Sequence, residues 1–375
     1  MTDLKKNVPE LRFPEFEGEW DGRYLNEILE VKSGKDYKHL EKGDYPVYGT
    51  GGYMLSVSDF LYEGEAIGIG RKGTINKPYL LKGPFWTVDT LFYCVPKKEN
   101  DVHFILNLFK TINWKIYDES TGVPSLSKLS INKIYKRVPE NKEQQKIGDF
   151  FSKLDRQIEL EEQKLALLEE QKKGYMQKIF SQELRFKDDN GNDYPEWEIK
   201  QLKDIADFQN GKAHETFVSS KGKYVLVNSK FISTDAQVKK YVSEQLTPLN
   251  KGDVTLVMSD VPNGRALAKC FLVDEDNKYS LNQRIGRIYN IIGNSRFLYI
   301  VLNRNKQLLK YDNGVGQTNL KKSEITDVFI NCPIKEEQQK IGDFFNKLDQ
   351  LIEKQSRKVD LLKQRKNGLL QKMFV

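Results

Sequence analysis

The chain has few cysteines and no long apolar run, and each shortage excludes a class of protein. Its three cysteines, Cys94, Cys270 and Cys332, are isolated along 375 residues, which indicates neither a disulfide framework nor a CxxC metal site. No stretch approaches the roughly 18 to 20 apolar residues of a transmembrane helix, and the first residues lack the apolar core of a signal peptide. We therefore expect a cytoplasmic protein that does not associate with membranes.

Catalytic motifs are missing as well. The histidines, His39, His103 and His214, lie far apart, and none stands at metal-ligand spacing from a cysteine or carboxylate. The chain has no GxxxxGK[ST] phosphate loop, no Asn-Pro-Pro-aromatic motif of amino-methyltransferases and no glycine-rich site for S-adenosylmethionine. Glu198 and Lys200 loosely imitate a nuclease metal site, but 30% charged residues make such a pattern frequent by chance. We expect a protein that binds rather than catalyses, without metal or cofactor.

A tandem duplication organises what is present. The segments Glu143–Phe180 and Glu337–Phe374 both begin with EQQKIGDFF and are identical at 22 of 38 positions. Similar leading segments, Glu10–Trp20 and Glu183–Trp197, precede two globular segments that look mostly unrelated. We predict four parts: residues 1–140, a first globular domain with its leading segment; 141–181, a first helix; 182–334, a second globular domain; and 335–375, a second helix.

The repeated segments carry apolar residues at alternating spacings of four and three, which predicts coiled-coil helices. The predicted seam consists of Ile147, Phe151, Leu154, Ile158, Leu165 and Leu168 in the first helix and Ile341, Phe345, Leu348, Ile352, Val359 and Leu362 in the second. Each copy has polar interruptions at the same two places, Glu161 or Gln355 and Lys172 or Lys366. An antiparallel pair could place Glu161 opposite Lys366 and Lys172 near Gln355, although sliding by one heptad changes that pairing.

The globular segments contain short β-branched and aromatic runs separated by glycine and proline, followed by one apolar helical stretch each. This pattern predicts the α+β class, with curved, mostly antiparallel sheets plus helices. The net charge of +7 suits a polyanionic partner without requiring one.

Polar side chains placed among the turns are candidates for contact with nucleic acid. Glycine permits close approach to phosphates, Asn and Gln can recognise adenine, and Arg can recognise guanine in the major groove. The candidates are Arg71, Lys72, Lys77, Ser125, Ser127 and Lys128 in the first domain, and Asn263, Arg265, Asn282, Gln283, Arg284, Gln317 and Asn319 in the second, with Arg287 close by. Loops 68–78 and 259–269 are expected to correspond. Each single residue has an ordinary structural explanation too, as a solvated turn or a strand cap.

Together, these motifs resemble the specificity subunits of type I restriction-modification systems. The resemblance rests on PELRFPEF with GEW, on ELRFKDDNGNDYPEW, on the GVPSLSKLSINKI and GVGQTNLKKSEI loops, and on two copies of PxxxEQQKIGDFFxKLDxxI. It covers essentially the whole chain.

The resemblance implies two target recognition domains on a circular pseudo-twofold repeat, separated by two long antiparallel coiled-coil helices that act as a spacer. Each domain would recognise one half of a bipartite double-stranded DNA target. The partners implied are two methyltransferase (modification) subunits, which would bind S-adenosylmethionine, and restriction/translocase subunits in the full complex. KIFSQELRF in mid-chain matches what joining the end KMFV to PELRF would create, so the two ends of the chain should lie close together.

Two other classes remain to be distinguished. A coiled-coil adaptor without sequence-specific DNA recognition would explain the helices but not the two unlike domains. A nuclease or fused methyltransferase would require motifs that the sequence lacks.

Overall fold

The computed structural model describes residues 7–262 and 264–375, and the chain divides into two compact units. Unit 1 comprises the chain up to Ala166 together with Lys354–Val375, and unit 2 comprises Leu167–Glu353. Each unit thus contains one globular segment and part of each long helix, which differs from the four consecutive parts drawn from the sequence. Among the described residues, no helix has the length and apolar character required to cross a membrane.

The elements of the first half follow in chain order. They are β1 (Asp21–Tyr24), α1 (Leu25–Ile28), β2 (Leu29–Ser33), β3 (Lys42–Gly49), β4 (Gly52–Val57), β5 (Ala66–Gly70), β6 (Tyr79–Leu81), β7 (Trp86–Thr87), β8 (Leu91–Pro96), α2 (Val102–Thr111), α3 (Lys128–Asn132), β9 (Tyr135–Val138) and the long helix α4 (Asn141–Phe180). A short 3-10 turn, Trp114–Tyr117, follows α2.

The second half continues the same scheme. Its elements are β10 (Glu198–Gln201), α5 (Leu202–Ile205), β11 (Asp207–Asn210), β12 (Tyr224–Val227), α6 (Ser229–Ser233), β13 (Tyr241–Val242), β14 (Val254–Val257), β15 (Ser259–Asp260), β16 (Cys270–Leu272), β17 (Tyr279–Leu281), β18 (Ile285–Tyr289), α7 (Ser295–Leu302), α8 (Lys306–Leu309), β19 (Thr318–Asn319), α9 (Lys322–Thr326), β20 (Phe329–Cys332) and the long helix α10 (Lys335–Met373). A 3-10 turn spans Glu215–Phe217.

The two globular segments share one sheet topology despite their unlike sequences. The four-stranded sheets have the orders β2-β8-β5-β6 and β11-β18-β14-β16, and the three-stranded sheets have the orders β4-β3-β7 and β13-β12-β17. The pairs β3·β7 and β12·β17 are parallel, and the other strand pairs that the structure describes are antiparallel. The predicted α+β class with mostly antiparallel sheets is therefore confirmed.

Within each unit the long helices run antiparallel and are joined by polar contacts as well as apolar ones. All twelve predicted seam residues are buried or half-buried. The polar interruptions have partners: in unit 1, Gln355 donates to a carboxylate oxygen of Glu161 at 2.7 Å and Lys366 pairs with Asp155. In unit 2, Lys172 pairs with Asp349 at 2.6 Å.

The pairing of Glu161 with Lys366 expected from the sequence is therefore wrong. Glu161 accepts from Gln355 and also from Lys358, whose Nζ lies 2.5 Å from its carboxylate. The register is displaced by about one heptad from the expected one, which a heptad pattern permits because each heptad offers the same seam positions. The expected proximity of Lys172 to Gln355 fails for the same reason, since Lys172 pairs with Asp349.

The repeated Glu-Gln pair fastens each helix to its own domain. Glu143 and Gln144 are buried, and so are Glu337 and Gln338. Arg12 of the first leading segment donates two hydrogen bonds, of 2.8 and 2.7 Å, to the Glu143 carboxylate. Gln144 donates to the carbonyl of Pro139 at 2.9 Å and accepts from the backbone N–H of Asp101, the residue that caps α2.

Unit 2 repeats these contacts with its own residues. Arg185 donates to Glu337 at 3.3 and 2.8 Å, while Gln338 donates to the carbonyl of Pro333 and accepts from the N–H of Asn294. These side chains satisfy backbone groups at two helix N-termini, so the angle between helix and domain is fixed by buried hydrogen bonds.

The two ends of the described chain lie together in unit 1, as expected from the sequence. The Leu11 N–H donates to the Lys372 carbonyl at 2.9 Å, and the Phe374 ring stacks on Phe104 with centroids 5.3 Å apart. In unit 2 the continuous chain makes the same hydrogen bond, from Leu184 to Lys178, at 3.0 Å. In unit 1, non-covalent contacts between the two ends of the chain thus replace the continuous backbone that joins the equivalent segments in unit 2.

Candidate nucleic-acid interface

Two separate stretches meet beside the four-stranded sheet of unit 1. One is the connection from β5 to β6, and the other is the loop that precedes α3. The Leu126 N–H donates to the Arg71 carbonyl at 2.9 Å, the Gly73 N–H donates to the Pro124 carbonyl at 2.8 Å, and Lys72 forms a β-bridge with Ser125. Backbone hydrogen bonds therefore join two loops that the sequence separates by about fifty residues.

A pocket of about 420 Å³ lies at this junction and contains most of the first-domain candidates. Its lining includes Arg71, Lys72, Ser125, Ser127 and Lys128, together with Ser33, Phe92, Glu119 and Leu126. Lys77 is exposed on the same β5–β6 connection and is absent from the lining. The fold thus gathers five of the six residues proposed for this domain.

The charge of the pocket is predominantly positive. The guanidinium of Arg71 lies 5.9 Å from the centroid of the Phe92 ring and donates to the Asp89 carbonyl at 3.4 Å, which limits its orientations. Three cationic side chains, those of Arg71, Lys72 and Lys128, face one lining carboxylate, that of Glu119. An exposed cluster of this kind attracts phosphate groups.

Asp118 holds the second loop in shape. One of its carboxylate oxygens accepts from the N–H and hydroxyl of Ser120 and from the N–H of Ser125, at 2.8 to 3.0 Å. The N–H of Ser125, followed by that of Ser120, holds the pKa of Asp118 below its ordinary value, since these donors favour the carboxylate. Ser127 caps α3 by accepting from the Ser130 N–H at 3.0 Å, and its hydroxyl donates to Glu119. Ser127 therefore already has a structural role.

A third loop of unit 1, the turn between β3 and β4, adjoins this site and was not among the predicted residues. A Cβ atom built on Gly70 would meet the Thr50 side chain at 3.3 Å, which puts this turn against the end of β5. Tyr53 and Met54 follow the turn and are exposed. The GTGG sequence signals the hairpin, but only the fold brings it beside Arg71.

Unit 2 has the same junction with different side chains. Strand β15, which follows β14, pairs with β19 in the loop before α9, and the Leu320 N–H donates to the Met258 carbonyl at 2.8 Å. Asp312 accepts from the Gly314 N–H at 3.0 Å, as Asp118 does from Ser120 in unit 1. The expected correspondence of loops 68–78 and 259–269 is confirmed, because each connects equivalent strands.

The second-domain candidates lie on three connected loops. Gln317 donates to the Ser259 hydroxyl at 2.7 Å and to the Asn319 side chain at 3.2 Å. Gln283 donates to Glu215 at 3.2 Å, and the carbonyl of its neighbour Arg284 accepts from the Met258 N–H at 3.1 Å.

The remaining second-domain candidates differ in exposure. Arg265 and Arg284 are exposed, and Asn282 is half-buried with its side-chain oxygen accepting from the Gln283 N–H at 2.8 Å. Asn263 lies outside the described residues.

Arg287 does not belong to this surface. It lies within β18, where its Nε donates to Asp253 at 2.6 Å and its guanidinium lies 4.7 Å from the centroid of the Tyr289 ring. Its side chain is 12% exposed, so the ion pair and the ring occupy it. The sequence could not reveal this, because Asp253 precedes a neighbouring strand 34 residues earlier.

Within residues 7–262 and 264–375, no group of three or more His, Cys, Asp or Glu side chains is arranged to hold a metal ion. Burial raises the pKa of the Cys94 and Cys270 thiols, which disfavours the nucleophilic thiolate at both positions.

Comparison with known proteins assigns this architecture to a class. The family model described as "Type I restriction modification DNA specificity domain" matches residues 17–170 and again 194–363. The chain therefore belongs to the type I restriction-modification DNA specificity family and carries two copies of its domain. The family is one of DNA specificity rather than catalysis, in agreement with the expectation of a binding protein.

Individual relatives are similar over most of the chain. The specificity subunit of the type I restriction enzyme MjaVIII from Methanocaldococcus jannaschii is 24% identical over 339 residues, covering 83% of this chain and 76% of that protein. The crystal structure of the S subunit of a type I restriction-modification system from M. genitalium matches with a TM-score of 0.68 at 16% identity, over 98% of this chain and 99% of that one. A chain from a study of complex assembly and conformational transition of the type I R-M system matches with a TM-score of 0.51 at 13% identity, over 94% of this chain and 97% of that one. These likenesses support the fold described above.

Proposed function

We propose that the chain is the sequence-specific DNA-binding subunit of a type I restriction-modification enzyme, and that each unit recognises one half of a bipartite target. One observation carries the proposal: the same two loops join at the same place in both units, but they present different side chains. Arg71 and Lys72 stand in unit 1 where Met258 and Ser259 stand in unit 2, and Ser125 stands where Asn319 does.

Such an arrangement suits recognition of two unlike half-sites. Lysine and arginine bind phosphates and determine affinity, whereas glutamine, asparagine and arginine can bind base edges and determine sequence. The cytoplasm, where the chromosome of a bacterium or archaeon is accessible, is the place of action.

The long helices define the gap between the half-sites in this proposal. Each helix, of 40 and 39 residues, runs from one compact unit into the other. Helix length is therefore a natural measure of gap length.

In both units the leading segment packs on the start of a long helix. The surface formed there is the docking site proposed for two methyltransferase subunits. Phe13 packs on Phe150 with ring centroids 5.9 Å apart, and Phe186 packs on Phe344 at 5.6 Å, so both units offer the same apolar pair beside a leading segment. The methyltransferase subunits would supply the S-adenosylmethionine site, and restriction/translocase subunits would complete the assembly.

Methylome sequencing of a host that expresses the chain with its modification subunit tests the recognition role. A bipartite motif with a fixed gap is expected. Complex formation without any sequence-specific methylation would instead favour a coiled-coil adaptor.

The role of the helices has its own test. Seven residues are inserted into both helices where the chain passes between units, after Ala166 and after Glu353. A heptad adds about 10 Å of helix while preserving the seam, so the gap should lengthen by about three base pairs. An unchanged gap would contradict the spacer role. A two-residue insertion at the same points, which turns the following seam residues away from the partner helix, serves as control.

A further inference from the structure

The loop before the short helix has the same length in both units and the same anchors at each end. It runs from Asp118 to Leu126 in unit 1 and from Asp312 to Leu320 in unit 2, so the offset of 194 that relates the long helices also relates these loops. Both aspartates accept hydrogen bonds from within their loop, and both leucines donate to the end of the neighbouring connection. Positions along the two loops can therefore be compared one by one.

Val123 and Gln317 occupy the same position in this comparison. Gln317 is exposed at the loop surface, and its amide is held by Ser259 and Asn319. Val123 is 66% exposed, although valine is an apolar residue. The next residue, Pro124, confines Val123 to extended backbone and accepts from the Gly73 N–H, so the orientation of the valine is restricted.

The surroundings of Val123 carry positive charge. The loop on which it stands borders the pocket that is lined by Arg71, Lys72 and Lys128, and a positive cluster of this kind favours a nearby polyanion. In the major groove, the apolar group that a valine can contact is the C5 methyl of thymine. The side-chain oxygen of Gln317, whose N–H groups donate to Ser259 and Asn319, can accept a hydrogen bond from the N6 amino group of adenine.

Resting on the proposed function, we propose that Val123 and Gln317 are equivalent specificity-determining residues. Val123 contacts a thymine methyl group in the half-site bound by unit 1, and Gln317 contacts an adenine in the half-site bound by unit 2. The same loop position thus makes an apolar contact in unit 1 and a polar contact in unit 2.

Exchange of the two side chains tests this assignment. The complex of the full chain with its modification subunit is used to select bound sequences from a randomised DNA library, with the wild type, Val123→Gln and Gln317→Val compared. Val123→Gln should change the preferred base at one or two positions of the first half-site only, and Gln317→Val should do so in the second half-site only. Both side chains are exposed, so both variants should keep the wild-type denaturation midpoint.

A probe without the methyl group tests the chemistry. Replacing thymine by deoxyuridine at the position that responds to Val123→Gln should weaken wild-type binding about fourfold, as expected for one methyl group removed from water. The same replacement should leave binding by a Val123→Ser variant, whose side chain has no methyl group, unchanged. A response at a position without thymine, or equal loss in both proteins, would overturn the contact with the methyl group.

Ile116 provides the matched control, since it is also β-branched and 68% exposed in unit 1 but lies on the 3-10 turn outside this loop. Ile116→Ala should leave the selected motif unchanged. If the wild type selects a bipartite motif that neither exchange alters, the assignment of Val123 and Gln317 is wrong while the proposed function stands. If the wild type selects no motif, the proposed function itself fails.

Discussion

The joint between helix and domain differs from the DNA-facing loops in how its side chains are used. At the joint, Arg12 with Glu143 and Arg185 with Glu337 form the same buried ion pair, and the residues around them are nearly the same in both units. In the loops, the backbone hydrogen bonds recur but the exposed side chains do not. At the joint the recurring side chains are thus buried and paired, whereas in the loops the side chains that differ face solvent.

One difference within the joint refines this comparison. The indole N–H of Trp197 donates to Glu337 at 3.0 Å, whereas the indole nitrogen of Trp20 is buried and has no hydrogen-bond partner among the described residues. Glu337 therefore accepts from two side chains and Glu143 from one among the described contacts.

Removing these carboxylates should have the largest effect on stability. Glu337→Ala leaves Arg185 and the indole of Trp197 without their buried acceptor, and we expect the free energy of unfolding to fall by about 3 to 5 kcal/mol. Glu143→Ala should cost about 1 kcal/mol less, because no indole N–H loses its acceptor there. Urea denaturation measures both. The exposed neighbour Glu336→Ala should stay within about 0.5 kcal/mol of the wild type, and equal losses in all three would contradict a specific role for the joint.

Arginines on the two equivalent connections should affect one half-site each. Arg71→Ala should change or relax only the half-site bound by unit 1, and Arg265→Ala only that bound by unit 2, with about 1 to 3 kcal/mol lost in discrimination if a base edge is contacted. Binding to targets with single substitutions in each half-site measures this. Loss on both half-sites alike would indicate damage to folding or to phosphate binding.

The long helices and their attachment to the two domains could be predicted from the sequence, because they depend on local periodicity and on an internal repeat. The seam positions follow from heptad spacing. The repeat also predicted that the two ends of the chain lie close together, which agrees with the hydrogen bond from Leu11 to Lys372. The helix register could not be predicted, because the same apolar pattern recurs every seven residues. Only the choice of partners, Asp155 for Lys366 and Asp349 for Lys172, distinguishes the alternatives.

The loops were predictable as loops but not in their contacts. Turn residues indicated where polar groups would cluster, and five of six candidates in unit 1 line one pocket. The roles of Ser127 as a helix cap and of Arg287 as a partner of Asp253 depend on neighbours that the fold supplies. Val123 was missed because an exposed apolar residue gives no sequence signal of contact with DNA.

Lys110 should make unit 1 more stable at alkaline pH. It lies between Asp155 and Lys366, and burial, followed by the charge of Lys366, lowers its pKa from 10.5 to about 8. Between these values the unfolded chain binds more protons than the folded one, so the contribution of Lys110 to stability rises with pH from about 8 to about 10.5 and is smallest below 8.

Lys110→Met checks this pH dependence. The variant should lose the rise and be more stable than the wild type at pH 7 by about 1 to 2 kcal/mol, since Asp155 keeps Lys366 as its partner. Urea denaturation at pH 7, 8, 9 and 10 compares the two proteins, and parallel curves would contradict the account. Met at this position retains the length of the side chain, so packing is preserved.

The smallest effect is expected at Lys128, which is exposed at the first turn of α3 and lines the pocket. If its ammonium binds a phosphate, Lys128→Ala weakens binding to all sequences alike and reduces the slope of log K against log salt concentration by about 0.9. Lys133 is exposed just beyond the other end of the same helix and provides the matched control. The variant Lys133→Ala should leave this slope unchanged. Equal slopes for wild type and Lys128→Ala, with weaker binding to one sequence only, would instead assign Lys128 to base recognition. In that case the same role would be expected of Lys322, which begins α9 at the equivalent position of unit 2.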